Sequence, residues 1–343
     1  MKNHLNLFII IIIFAGCEVK KEANNNQDTL ATENTATTEK IRLLIDTDAN
    51  NELDDQHALA YALFNGEVFD VVGITVNNTF NGNGIESQYA EAQRVAKLCK
   101  ASAEVPVIAG AEGSYREIVN FIDQEEYDGR AAVNFIIAQA KESSPEDPLV
   151  LLPIGKLTNI ALALAKAPEI KDRVKVVWLG GNYPKPGEYN LDNDTTSVNP
   201  VIASGVDFEM VTVRYSDTTG TTYVRVTPDE IFANMPGAGP TVEPVTGRHG
   251  GEFTTFGDYS VNLFEKAEMH GNPPSRSLFD MAAVAILKNP EWAAKTSIPA
   301  PTLLGNGWQQ NPENTHTIFL WENFDRKAII NDFFETMQNY KLQ

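Results

Sequence analysis

Basic side chains are scarce in this 343-residue chain, where 27 Lys and Arg stand against 46 Asp and Glu. The formal net charge at pH 7 is therefore −19. Nucleic-acid binding depends on clustered basic side chains that neutralise phosphates. Electrostatic adhesion to anionic lipid also depends on basic patches. The deficit argues against both kinds of partner.

Cysteine is scarce as well, and the residue combinations typical of nucleophilic catalysis are not found. The only cysteines are Cys17 and Cys99, and Cys99 falls on the apolar face of a predicted helix, where a small core residue is expected. No turn after a predicted strand offers a Ser–His–Asp or Cys–His set, or a glycine-rich phosphate loop with a Lys. The sequence therefore argues against triad-type catalysis and against a P-loop.

One apolar run, Leu5–Phe14, stands near the N terminus. It is too short to cross a bilayer and is typical of a signal peptide. The letters FAGC at positions 14–17 are similar to a bacterial lipoprotein signal, with a plain secretory signal as the alternative. We predict that residues 1–17 are a lipoprotein signal peptide ending at Cys17. The lipidated, exported protein would then be anchored to a membrane, facing the periplasm or the cell surface.

Residues 18–39 are rich in Asn, Thr, Glu and Ala and have almost no large apolar side chain. Such a segment cannot bury enough apolar surface to offset the entropy of ordering. We predict a disordered tether at 18–39, followed by one folded domain at 40–343. With Cys17 lipidated, Cys99 has no partner for an intramolecular disulfide.

Apolar runs alternate with amphipathic stretches in the folded part. The runs predicted to be buried strands are Ile41–Ile45, Phe69–Val76, Val105–Ala109, Leu149–Ile154 and Val174–Leu179. The predicted helices are Asp54–Phe64, Ile85–Leu98, Arg130–Lys141 and Leu157–Ala165. This alternation predicts an α/β fold with an open, mostly parallel, Rossmann-like sheet and helices on both faces. Residues 180–200 are predicted to be a long polar loop.

Four carboxylates follow the first predicted strand within ten residues: Asp46, Asp48, Asp54 and Asp55. Like charges this close raise one another's pKa unless a cation compensates them, and carboxylate oxygens suit Ca²⁺ or Mg²⁺. Acidic residues also favour the first turn of a helix for structural reasons alone. Ligand sites of parallel sheets lie at the carboxyl ends of the strands, so polar residues after the later strands are expected nearby.

Four motifs occur in a defined order along the chain. They are DTDxxxxxDD at 46–55, GKLTNIA at 155–161, GGN at 180–182 followed by ExN at 188–190, and FDMAAVA at 279–285. Together they resemble the inosine–uridine-preferring nucleoside hydrolase family over most of Ile41–Pro290. The resemblance implies the nucleoside hydrolase fold and Ca²⁺-dependent hydrolysis of the N-glycosidic bond of ribonucleosides. The products would be ribose and a free base, as in purine and pyrimidine salvage.

The resemblance also implies roles for individual residues. It implies a Ca²⁺ site made by Asp48, Asp55, Asp280 and the backbone carbonyl of Thr158. Asp48 would in addition take the proton of the attacking water as general base. The ribose hydroxyls would be held by Asp54, Asn77, Asn182, Glu188 and Asn190. The partner is then a small ribonucleoside, and a homo-oligomer is left open.

Two departures from the family pattern bear on the site. Family members commonly have three residues between the second Asp and the DD pair, whereas five separate Asp48 from Asp54 here. The family often has His directly before the last Asp, where it can protonate a purine leaving group, and Phe279 stands at that position. Two alternatives stay open: a haloacid-dehalogenase-type phosphatase with Asp46 as nucleophile and Mg²⁺, and a lipoprotein that binds ribosyl compounds without cleaving them.

Overall fold

The computed structural model describes residues 39–215 and 217–343. The predicted signal peptide at 1–17, with Cys17, and the predicted tether up to residue 38 lie outside the described residues. Residues 39–343 group into one compact unit. No helix in the described ranges is both long enough and apolar enough to cross a membrane.

The central feature is an eight-stranded sheet with the order β11-β14-β6-β5-β4-β1-β2-β3. All neighbouring strands are parallel except β11 and β14. In chain order the strands are β1 Ile41–Thr47, β2 Phe69–Val76, β3 Val107–Ala109, β4 Leu149–Pro153, β5 Val174–Leu179, β6 Asp207–Val211, β7 Arg225–Val226, β8 Val245–Thr246, β9 Glu252–Phe253, β10 Arg276–Ser277, β11 Ala294–Pro299, β12 Thr302–Leu304, β13 Gly307–Gln309 and β14 Thr317–Glu322.

Helices connect most of these strands. They are α1 Asp54–Leu63, α2 Ile85–Leu98, α3 Tyr115–Ile118, α4 Arg130–Lys141, α5 Thr158–Lys166, α6 Tyr189–Asn193, α7 Thr195–Ala203, α8 Pro228–Asn234, α9 Phe256–Lys266, α10 Phe279–Lys288 and α11 Arg326–Gln338. Short 3₁₀ turns lie at Val119–Phe121, Pro168–Arg173, Thr221–Tyr223 and Pro290–Trp292.

The central strands β1, β4 and β5 are buried on both faces, which is why they read as nearly continuous apolar runs. Consecutive residues of β1 alternate between two cores: Leu43 and Ile45 pack on one side and Leu44 on the other. The first core contains residues of α1, α2, α9, α10 and α11. The second contains residues of α4, α5 and α7. The structure therefore confirms the predicted mostly parallel sheet with helices on both faces.

The prediction that residues 180–200 form a polar loop was wrong in part, because this segment contains α6 and most of α7. Side chains within the segment cap these short helices. Glu188 accepts hydrogen bonds from the backbone N–H groups of Asn190 and Leu191, and Asp194 accepts one from Thr196. Asn, Asp and Thr have low intrinsic helix propensity, so a pattern of propensity and apolar spacing does not reveal helices that depend on caps.

Helix α9 packs tightly against the segment before it, which leads to a stability prediction. A Cβ atom on Gly257 would lie 1.9 Å from the backbone oxygen of Met235 and 2.5 Å from the nitrogen of Ala238. We expect Gly257→Ala to lower the free energy of unfolding by about 3 kcal/mol, since backbone atoms must shift. Gly307→Ala is the control, because its Cβ would meet no atom closer than 3.7 Å. Equal denaturation midpoints for the two variants would contradict the expectation.

Candidate functional site

Several buried acidic side chains lie where the carboxyl end of β1 meets the first turns of α1 and α10. These side chains border a cavity of about 400 Å³. The acidic part of its lining consists of Asp48, Glu52, Asp54, Asp55, Glu188 and Asp280. The sheet topology explains where the cavity lies, because ligands bind at the carboxyl ends of the strands in parallel sheets.

Three of these carboxylates form a compact cluster. One oxygen each of Asp54, Asp55 and Asp280 lies within 4.8 Å of the others, and all three residues are buried. Helix α1 brings the first two and helix α10 brings the third, because the two helices pack against each other. The donors are carboxylate oxygens with no His or Cys among them, which fits a hard divalent cation better than zinc.

Burial and mutual repulsion dominate the electrostatics of the cluster. Burial, followed by the charges of neighbouring aspartates, raises the pKa of Asp55 and of Asp280 well above the usual range. Burial raises the pKa of Asp54 to about 6. These carboxyls can be fully ionised together only if a cation offsets the desolvation. The cluster thus fits a divalent cation, and this fit is the physical argument for a metal centre.

Asp48 lies beside the cluster and is held by a different partner. The hydroxyl of Thr79 donates a hydrogen bond of 2.5 Å to its carboxylate. Burial raises the pKa of Asp48 to about 7, with the charges of Glu188 and Asp46 adding to the effect. A carboxylate with a pKa near neutrality is suited to accept a proton from water.

Asp46 is bound by neighbouring side chains and is not among the acids that line the cavity. Its carboxylate accepts hydrogen bonds from Thr75 at 2.6 Å, Asn77 at 2.9 Å and Asn159 at 2.7 Å. It is fully buried, and burial raises its pKa. With three donors already bound, Asp46 ties β1 to β2 and α5.

Glu188 and Asn190 reach the cavity from the start of α6. Glu188 accepts backbone hydrogen bonds from Gly181, Asn190 and Leu191, and burial raises its pKa to about 6. The amide nitrogen of Asn190 donates to the carbonyls of Ile154 and Leu179. Its amide oxygen is therefore the atom left for a ligand hydroxyl.

The structure does not bring every predicted site residue to the cavity lining. Asn77 donates its amide to Asp46. The side-chain oxygen of Asn182 accepts from the backbone N–H of Tyr215 at 3.3 Å. The hydroxyl of Thr158 donates to Asp194 at 2.6 Å. The compact acidic cluster also contains Asp54, which the resemblance assigns to ribose, instead of Asp48.

Sequence reasoning missed one side of the cavity. This side is lined by Tyr215, Thr222, Arg225, Arg276 and Ser277, together with His270. Arg225 and Arg276 stand on β7 and β10, which pair as a two-residue antiparallel ribbon. A strand of two residues has no periodic pattern, so no signal in the sequence marks these arginines as neighbours of the acidic turn.

A family model described as inosine-uridine preferring nucleoside hydrolase matches residues 43–329. The chain belongs to this family. The matched range contains every element that lines the cavity. Membership in this family favours the hypothesis of glycoside hydrolysis over the alternative of a phosphatase.

The chain is also similar to individual nucleoside hydrolases, in sequence or in structure. A pyrimidine-specific ribonucleoside hydrolase of Shewanella oneidensis is 28% identical over 49% of this chain and 57% of its own length. A plant nucleoside hydrolase has a TM-score of 0.69 at 18% identity, covering 88% of this chain and 99% of that one. A purine-preferring ribonucleoside hydrolase from Gardnerella vaginalis has a TM-score of 0.65 at 22% identity, covering 87% and 98%.

The two structural matches show a shared fold at these identities. The chain spans about half the length of the first curated relatives it matches.

The acidic cluster predicts how stability depends on pH and Ca²⁺. A carboxyl whose pKa is raised by folding stabilises the fold when protonated, and this stabilisation is lost as the pH rises through the folded-state pKa. With an unfolded-state pKa of 3.8 and folded-state pKa values of about 6 for Asp54 and about 7 for Asp48, the loss runs from about pH 4 to about pH 7. The unfolding temperature of the metal-free protein should fall over this range, and Ca²⁺ should restore it most at the alkaline end.

Thermal unfolding with and without Ca²⁺ measures this effect. Asp55→Asn removes one charge from the cluster, so it should stabilise the metal-free protein at about pH 8 and reduce the response to Ca²⁺. Asp172→Asn, at an exposed position, should change neither. An unfolding temperature that ignores Ca²⁺ at alkaline pH would be inconsistent with a metal centre here.

Proposed function

We propose that this protein hydrolyses the N-glycosidic bond of ribonucleosides in a Ca²⁺-dependent reaction that gives ribose and a free base. The observation that carries the proposal is the cavity in which the buried carboxylate of Asp48 stands beside the cluster Asp54, Asp55 and Asp280. Family membership supports the reaction class, and relatives named for pyrimidine and for purine nucleosides support ribonucleosides as the substrate class.

The proposed metal site uses the carboxylates of Asp54, Asp55 and Asp280, with Asp48 and the carbonyl of Thr158 added by the resemblance. A Ca²⁺ ion held by these residues would supply the positive charge that lowers the pKa of a bound water and attracts ribose hydroxyls. Without that charge, burial and then repulsion by neighbouring aspartates disfavour the ionised carboxylates, and both raise the pKa of Asp55 and of Asp280.

Asp48 is proposed to take the proton of the attacking water. Its hydrogen bond from Thr79 fixes one carboxylate oxygen and leaves the other for that proton. Glu188 and the amide oxygen of Asn190 are placed to accept hydrogen bonds from ribose hydroxyls. As C1′ gains positive charge in an oxocarbenium-like transition state, the surrounding carboxylates stabilise it.

Replacing Asp48 tests the proposed base. Asp48→Asn keeps the shape of the side chain but removes its ability to accept the water proton. We expect kcat for nucleoside hydrolysis to fall by at least about 10³-fold while the fold and nucleoside binding persist. Reducing-sugar release and binding calorimetry measure the two quantities. Asp172→Asn serves as the control, and retention of more than about a tenth of wild-type kcat by Asp48→Asn would refute the assignment.

We also propose that the protein is exported and anchored to a membrane by a lipid on Cys17, which is an inference from the sequence alone. The short apolar run and the FAGC letters before the tether support it. An anchored enzyme would meet nucleosides outside the cytoplasm, and the predicted tether would hold the domain away from the lipid surface.

Fatty-acid labelling of the full chain in a bacterial host tests the anchor. The wild-type protein should carry the label and sediment with membranes, whereas Cys17→Ala should do neither, because its acceptor thiol is gone. Cys99→Ala is the matched control, since Cys99 is buried in the core, and it should keep both properties. Membrane association of Cys17→Ala equal to that of the wild type would contradict the proposal.

A further inference from the structure

The part of the cavity lining contributed by β7 and β10 carries positive charge, in the same cavity that the acidic cluster borders. Arg225 pairs with Ser277, and Arg276 with Val226, in the register of this ribbon. Helix α10 begins two residues after β10 and bears Asp280 in its first turn. We call Arg225 and Arg276 the arginine wall. The same short segment therefore positions one member of the acidic cluster and the arginine wall.

Arg225 is held firmly by neutral partners. Its guanidinium donates to the hydroxyls of Ser275 at 2.9 Å and Ser277 at 3.0 Å, and to the carbonyls of His270 and Ser275 at 2.8 Å each. These bonds engage four of the five N–H groups that a guanidinium has. No carboxylate among the described residues lies within 4.0 Å of it. Its charge is thus available to a ligand in the cavity.

Arg276 is only 9% exposed and has a charged partner. Its guanidinium forms an ion pair with Glu52, and it donates to the carbonyl of Glu268 and to Nε2 of His270. Because a guanidinium can only donate, that nitrogen of His270 must accept and carries no proton. In this contact Nε2 of His270 is therefore occupied as an acceptor.

The chemistry of glycoside cleavage gives the arginine wall a role. Ribose is proposed to bind against the carboxylates, and the leaving group is then placed against the remaining lining of the same cavity, which includes the arginine wall. A base that departs carries the electron pair of the broken bond. Phe279 cannot protonate it, whereas fixed guanidinium groups can stabilise the negative charge through hydrogen bonds.

We propose that Arg225 and Arg276 stabilise the leaving base as an anion, so that the substrates of this site are ribosides whose aglycone departs with a negative charge. This inference rests on the proposed glycoside hydrolysis. In the step, the C1′–N bond breaks and its electron pair goes to the base nitrogen. The water oxygen bonds to C1′ while its proton goes to Asp48. The base anion, paired with the arginine wall, takes a proton from solvent after release.

A comparison of two substrates tests the arginine wall. Uracil is a poor leaving group and needs stabilisation, whereas p-nitrophenolate is stable as a free anion. Arg225→Gln and Arg276→Gln should each lower kcat/KM for uridine by about 100-fold, and for p-nitrophenyl β-D-ribofuranoside by only about 3-fold. Arg225→Lys keeps the charge but loses the planar fork, and should lower the uridine value by about 10-fold. The measured quantity is the ratio of the two losses.

Controls separate this role from damage to the fold. Arg130→Gln alters an arginine on α4 that pairs with Glu126, and it should change neither substrate. Arg225 also holds the ribbon, so each variant is compared with the wild type by thermal unfolding. If Arg225→Gln does not fold, Arg276→Gln and Arg225→Lys decide the question.

The outcomes distinguish the two proposals. Losses that are equal for both substrates in folded variants would overturn the leaving-group role while the proposed hydrolysis stands. A wild-type protein that cleaves neither riboside in the presence of Ca²⁺ would overturn both. A loss concentrated on uridine supports the arginine wall.

Discussion

Repulsion among buried carboxylates is the constraint that shapes this end of the molecule. Asp48, Asp54, Asp55 and Asp280 are removed from water within one small region, and burial raises the pKa of each. Such an arrangement costs stability unless protons or a cation offset it. It persists because the helix starts that present the acids also provide partial positive charge, and because a divalent cation can bind there.

Contacts between α1 and the hydrophobic core hold the first turn of α1, which carries two of these acids. His57, one turn into α1, donates from Nδ1 to the carbonyl of Leu53 at 2.5 Å and accepts at Nε2 from the hydroxyl of Ser260 at 2.7 Å. Burial lowers the pKa of His57 to about 4, so it is neutral at physiological pH. Its ring packs on Phe256 and Phe264 of α9. The first turn of α1 is thus bound to the core through a neutral side chain that adds no charge to the acidic region.

Most of the sheet could be predicted from the sequence, because apolar content and periodicity within each segment are enough to identify a buried strand. Strand β2 and helix α2 have the predicted ends, since period and apolar content suffice for buried strands and amphipathic helices. The site was harder to predict. Helix α6 depends on the cap made by Glu188, and the arginine wall depends on a ribbon of two-residue strands. Both are tertiary arrangements, which spacing along the chain does not encode.

The lengthened turn after Asp48 links the two charged sides of the cavity. Asn50 donates from its backbone N–H to Gln88 and from its amide to the carbonyl of Gly82, which anchors the turn to α2 and the loop before it. Glu52, beyond that anchor, pairs with Arg276. The lengthened turn therefore carries a carboxylate to the arginine wall, where the ion pair holds the guanidinium of Arg276 in place. Arg225 and Arg276 are the two arginines that line a cavity otherwise dominated by acids, so the arginine wall is the part of its lining where a departing anion can be stabilised.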